Sequence, residues 1–302
     1  MLKIGIQTAG LLEHHGIDGT FALLERCGFD FVDFSMNALD ASLRDLRAIP
    51  DPLQSAFDQP IEALAAALKP YSEAAQAHGI AFGQAHAPYP SFWPDNDERN
   101  AAMTAMYKKM IALCGHLGCK YLIIHPAAQR NLSDDWKANM SLYKPLIPAL
   151  KEHDVICCLE NLYLGVSGGY LESSCADPYE ACDYIDELND VAGARRFAFC
   201  LDTGHALMTG RDIYTTIMKL GPRIEALHIH DNDGRKDLHM APYMGILEWN
   251  RFIAGLKDIE YTGGLSFETI SCVNSFDPEL HERLLSFISA TGRMFARRIE
   301  RA

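Results

Sequence analysis

Short β-rich apolar runs alternate with longer amphipathic stretches along this 302-residue chain, and that alternation constrains its fold more than any other feature. Strands are predicted at 3–7, 31–35, 81–86, 121–125, 155–160, 197–202, 224–230 and 264–268. Helical periodicity fills 20–27, 61–78, 98–117, 134–153, 178–188, 212–220, 248–257 and 278–299. Eight strands alternating with eight helices predict an α/β fold, a single (β/α)8 TIM barrel over residues 1–302. A doubly wound open sheet is the alternative, but no GxGxxG turn follows the first strand. Three connections after strand ends, 37–60, 87–96 and 163–177, are long, and should rim the barrel mouth where substrates are held.

The strand ends carry the chemistry. His86 ends the third strand, His125 the fourth and Glu160 the fifth; Asp202 ends the sixth, with His205 three residues on. The seventh carries His228 and His230, with Asp237 and His239 in the loop beyond, and Glu268 ends the eighth. Side chains alternate along a strand, so His228 and His230 share a face. Any one of these histidines reads as well as a hydrogen-bonded structural residue. The whole set does not, because one pocket would hold many unpaired ionisable groups, each costly to bury. Imidazole and carboxylate without cysteine suit Mn²⁺ or Zn²⁺, and also Co²⁺, Fe²⁺ or Mg²⁺. Glu160, Asp202, His228 and Glu268, one from each of four successive strands, form the expected ligand set.

The segments Cys200-Leu201-Asp202-Thr203-Gly204-His205, Leu227-His228-Ile229-His230-Asp231, Gly245-Ile246-Leu247-Glu248-Trp249 and Gly264-Leu265-Ser266-Phe267-Glu268 resemble the xylose-isomerase-like barrel superfamily. That superfamily holds sugar isomerases and 3-epimerases, inosose dehydratases and endonuclease IV. Resemblance to the 3-epimerases implies one metal on Glu160, Asp202, His228 and Glu268. It also implies proton exchange by Glu160 and Glu268, with His205 binding substrate oxygen. Val166 stands where those epimerases carry another substrate-binding glutamate. Resemblance to endonuclease IV implies one to three ions. His86 and His125 would share Glu160 in a second site, and His205, Asp237 and His239 would form a third. Tyr89 matches a DNA-contacting tyrosine there, whereas Leu39 replaces an arginine inserted into DNA.

A net charge of −13 opposes binding to a phosphate backbone. The expected activity is therefore a metal-dependent sugar or sugar-phosphate isomerase or epimerase working on a small carbohydrate. A zinc phosphodiesterase acting on abasic sites, or a carbohydrate lyase or dehydratase, is the alternative. His230, Arg235 and Trp93 are the substrate-binding candidates. Trp93 serves equally as rim packing and Arg235 as a solvated loop charge. No run is long enough to span a bilayer and the first residues do not read as a signal peptide. The nine cysteines, odd in number and without a CxxC pair, read as reduced buried thiols of a cytoplasmic protein, which could assemble as a homo-oligomer.

Overall fold

Strand periodicity and closure build the barrel. The computed structural model describes residues 1–128 and 132–301. The barrel strands are β1 (Ile4–Gln7), β2 (Phe31–Ser35), β3 (Ala81–His86), β4 (Tyr121–Ile123), β5 (Ile156–Glu160), β8 (Phe197–Asp202), β9 (Ile224–His228) and β10 (Leu265–Phe267). All pair in parallel in the order β10-β1-β2-β3-β4-β5-β8-β9. The ring closes where Ile229 bridges Phe267, with Ile229 N donating to Ser266 O and Glu268 N to Ile229 O. The two remaining strands, β6 (Tyr163–Val166) and β7 (Gly169–Glu172), form an antiparallel hairpin over the mouth.

Alternation separates two apolar layers. Ile123, Ile156, Cys158, Ala198, Cys200 and Ala226 point into the lumen and pack together. Their neighbours Cys157, Leu159, Phe197, Phe199, Leu201 and Leu227 pack outward among the helices. Two residues further along the inward rows stand His125, Glu160, Asp202 and His228, so strand period alone delivers them to the mouth. At the opposite end the Phe31 ring plugs the lumen. A Cβ at Gly5, Gly83 or Gly264 would overlap that ring, which requires glycine at all three positions facing it.

The helices are α1 (Leu11–Cys27), α2 (Ile61–Ala77), α3 (Asp97–Leu117), α4 (Leu132–Tyr143), α5 (Ile147–Glu152), α6 (Pro178–Ala192), α7 (Thr203–Met208), α8 (Ile213–Leu220), α9 (Trp249–Asp258), α10 (Ile270–Asn274) and α11 (His281–Glu300). Three expectations need correction. The helix predicted at 134–153 is divided into α4 and α5 by a 3-10 turn, where Pro145 and Pro148 remove backbone donors. The helix predicted at 20–27 begins at Leu11, across a kink where Gly16 adopts φ 68°. The glycine-rich segment 163–177 contains the β6–β7 hairpin instead of only loop, because Ser167 and Gly168, the latter at φ 91°, supply its two-residue turn. All nine cysteines are buried and free of disulfides, as expected. Among the described residues, no helix is long and apolar enough to cross a membrane.

Candidate metal centre

At the mouth the inward rows end in one buried polar cluster. Glu160 and His228 are almost wholly buried, with His228 Nδ1 at 3.1 Å from Glu160 Oε1 and 3.4 Å from Glu268 Oε2. His125 Nε2 lies 3.1 Å and His86 Nε2 3.8 Å from Glu160 Oε2. Asp202 stands one ring further along. His205 Nδ1 is 3.5 Å from Glu160 Oε1 and 3.8 Å from Asp202 Oδ1, so it links the two carboxylates. Asp237 Oδ2 then lies 3.3 Å from His205 Nε2 and 3.1 Å from His239 Nε2. Every predicted metal-ligating residue is therefore in this cluster.

The tautomers decide what the cluster presents. His86 Nδ1 donates to Ala87 O (2.7 Å), His205 Nδ1 to Asn161 O (2.9 Å) and His239 Nδ1 to Glu268 O (2.9 Å). A carbonyl only accepts, so each of these rings carries its proton on Nδ1 and turns Nε2 toward the carboxylates. A lone pair facing a carboxylate is repulsive unless a proton or a metal lies between them. His125 and His230 differ, because Nδ1 of each is buried without a partner.

Charge balance points the same way. Burial disfavours protonated His205, yet Asp202, Asp237 and Glu160 outweigh it and hold the ring well above its ordinary range. His239, despite burial, is pushed up to about 9 by Glu268 and Asp237. Burial would raise Glu160, but His228 and His125 hold it well below the usual carboxylate range. The cluster holds excess negative charge that protons on the rings offset. Asp237 Oδ1 is buried with no hydrogen-bond partner, and Glu160 Oε2 makes no well-formed hydrogen bond although His125 Nε2 lies 3.1 Å away. The mixed N/O donors, the inward nitrogens whose protons a metal would replace, and these two oxygens fit a divalent cation. Several groupings bring ligand atoms within 4.8 Å of one another, among them His86, His125 and Glu160; His86, His228 and Glu268; Glu160, Cys200 and His228; Asp202, His205 and His230; and His230, His239 and Glu268.

His230 Nε2 is 3.0 Å from both oxygens of Asp202, and its ring stacks on His239 at 4.2 Å. It thus contacts the Asp202 carboxylate and is wholly buried. Arg235 is exposed and lines a cleft of about 540 Å³ with Gly165, Val166, Tyr170 and Met208. Trp93 is half-buried against the core, with the Arg99 guanidinium 4.2 Å from its ring centroid. Sequence reading overlooked several positioning residues. Gln7 Nε2 donates to Glu268 Oε1 (2.6 Å), and the Tyr163 hydroxyl to Asp237 Oδ2 (3.2 Å). Asn161 holds Asp202 through two backbone bonds of 2.8 and 2.9 Å. Asp33, a charge inside an apolar strand, was the legible signal; nothing local marked Tyr163.

A ring of parallel strands with acids and imidazoles gathered at its C-terminal mouth defines a (β/α)8 barrel. The chain belongs to the xylose isomerase-like TIM barrel family, whose pattern matches residues 21–290. It is 26% identical over 209 residues to an uncharacterized protein of Sinorhizobium fredii, covering 67% of this chain and 63% of that one. It is 28% identical over 125 residues to the D-psicose 3-epimerase of Enterocloster bolteae, covering 41% and 37%. Among solved structures, the D-allulose 3-epimerase of Methylomonas sp. superposes with a TM-score of 0.71 at 16% identity, covering 97% of this chain and 98% of that one.

Proposed function

We propose that this protein is a metal-dependent sugar isomerase or epimerase that exchanges the proton next to a ketose carbonyl. The observation that carries the reading is the pair Glu160 and Glu268, both within 3.4 Å of His228 Nδ1 and at strand ends separated by β8 and β9. The similarity to the Enterocloster D-psicose 3-epimerase supports it at the level of reaction class. Glu160, Asp202, His228 and Glu268 would hold the principal ion, of which Mn²⁺ and Zn²⁺ suit the donors best. Such an ion supplies Lewis acidity that polarises the carbonyl and acidifies the adjacent C–H.

This chain's residues do the proton work. One glutamate removes the α-proton and the other returns it to the carbon. His205 Nε2 faces the mouth while its Nδ1–H is held by Asn161 O, which suits it to hold a substrate hydroxyl. Arg235 and the β6–β7 hairpin would contact the remote end of the sugar. His86 with His125, and Asp237 with His239, offer places for further ions.

Incubation of the Mn²⁺- or Zn²⁺-loaded protein with a panel of free and phosphorylated ketoses in D₂O tests the reading. Deuterium should appear at the carbon beside the carbonyl, and Glu268→Gln should lower exchange by ~10²–10⁴-fold while the fold survives. Incision of an abasic DNA duplex without any sugar exchange would replace this reading with the nuclease one.

A further inference from the structure

Asp33 lies on β2, inside the lumen and one layer below the metal cluster, with no solvent exposure. A buried carboxylate needs compensating partners. Among the described residues no lysine or arginine lies within ion-pair distance of it. Its Oδ2 instead accepts from Gln84 Nε2 (2.9 Å) and from His228 Nε2 (3.0 Å), while Oδ1 has no hydrogen-bond partner. Gln84 Nε2 also lies 3.3 Å from Leu227 O, in the residue preceding His228. Asp33 and Gln84 are thus clamped to the strand that carries the histidine.

We infer that Asp33, held by Gln84, is a positioning residue that fixes the tautomer of His228 so that Nδ1 is its metal-binding nitrogen. Asp33 can only accept, so the ring nitrogen facing it carries the proton. Nδ1 then has its lone pair directed between Glu160 Oε1 and Glu268 Oε2, which also only accept. Three acceptors converging on one point select a cation. The carboxylate behind the ring makes Nδ1 more electron-rich, and it prevents the ring from flipping to present Nε2. Outer partners of this kind typically alter metal affinity by ~10–100-fold.

The inference rests on the proposed metal site, and the test separates the two. Metal-free protein is titrated with Zn²⁺ or Co²⁺ against a chromophoric chelator. This is done for wild type, Asp33→Asn, Gln84→Met, His228→Gln, and Asp33→Asn combined with His228→Gln. Circular dichroism checks each fold. Wild type should bind, Asp33→Asn should bind ~10–100-fold more weakly, and Gln84→Met should shift affinity in the same direction. The visible spectrum of Co²⁺ should change in Asp33→Asn. In the His228→Gln background Asp33→Asn should cost nothing further, because its effect runs through that ring.

Unchanged affinity and spectrum in Asp33→Asn would overturn the inference while leaving the metal site standing. An equal loss with and without His228 would also overturn it, because Asp33 would then act only on the fold. If Asp33→Asn fails to fold, Gln84→Met decides: unchanged affinity refutes the relay, and weakened affinity that disappears in the His228→Gln background supports it. No metal binding by wild type would remove the site and this inference together.

Discussion

Gln7, at the end of the first strand, donates its amide to Glu268, at the end of the last, across 2.6 Å and 261 residues of chain. Neither residue has a sequence neighbour that could replace this contact. The bond exists because parallel pairing of Ile6 with Phe267 sets the two strand ends side by side. It holds one oxygen of Glu268 and leaves Oε2 facing His228 and His239.

Replacing Gln7 with leucine should therefore disorder Glu268 more than it disturbs the barrel. Losing one buried hydrogen bond to a charged group costs on the order of 1–3 kcal/mol. The rate of α-proton exchange should fall by ~10–100-fold, as expected for a residue supporting a ligand. Thermal unfolding and exchange kinetics on the same preparations check this. An unchanged rate in a folded variant would show that Glu268 does not depend on the amide.

Gly204 is pressed against His230, and a Cβ there would overlap the imidazole. Gly204→Ala should displace the ring from Asp202 and weaken divalent-cation binding with little loss of helical signal. Metal titration alongside circular dichroism measures both. Wild-type affinity in Gly204→Ala would show that the His230–Asp202 contact is dispensable.

The acidic cluster should make thermal stability depend on metal. An ion bound only by the folded state at a hundredfold excess over its Kd stabilises by about 2.7 kcal/mol. For a chain of this size that is a rise in Tm of about 5 °C. The rise should appear with Zn²⁺ or Mn²⁺, reverse with EDTA, and shrink in Glu160→Gln. A Tm indifferent to both metal and chelator would argue against a structural hold on the ion.

Away from the mouth, Asp212 caps α8 through Thr215 N and pairs with Arg251 through two bonds of 2.7 Å. The Arg251 guanidinium, against a small opposing effect of burial, holds the carboxyl at about 2. The folded-state value lies below the ordinary ~3.9, so this stabilisation is complete above that pH. It is lost as the pH falls from about 4 toward 2. Asp212→Ala should cost ~1 kcal/mol at neutral pH through the lost cap. Asp212→Asn keeps a cap and loses only the pair, which is solvent-screened and correspondingly weak. Urea unfolding at pH 7 and pH 3.5 should show the gap between wild type and Asp212→Asn narrowing in acid. A gap that widened would contradict the sign.

Much of this protein was determined locally. Two-residue alternation sets Glu160 above Cys158 and Ile156, and Asp202 above Cys200 and Ala198, so strand identity and inward facing were legible from residue order. The sequence predicts one helix over 134–153 because its periodicity persists through Pro145 and Pro148, which interrupt the backbone hydrogen bonds without disturbing the apolar pattern. The hairpin at β6–β7 was hidden because its residues are mostly exposed and lack an apolar–polar alternation. Only tertiary structure decided which nitrogen of each histidine faces the mouth. It also decided that Asp33 supports His228 and that Asp202 is shared with His230. The last two relations join residues 195 and 28 positions apart, and they arise only when the strand ring closes and its inward side chains must satisfy one another in a space from which water is largely excluded.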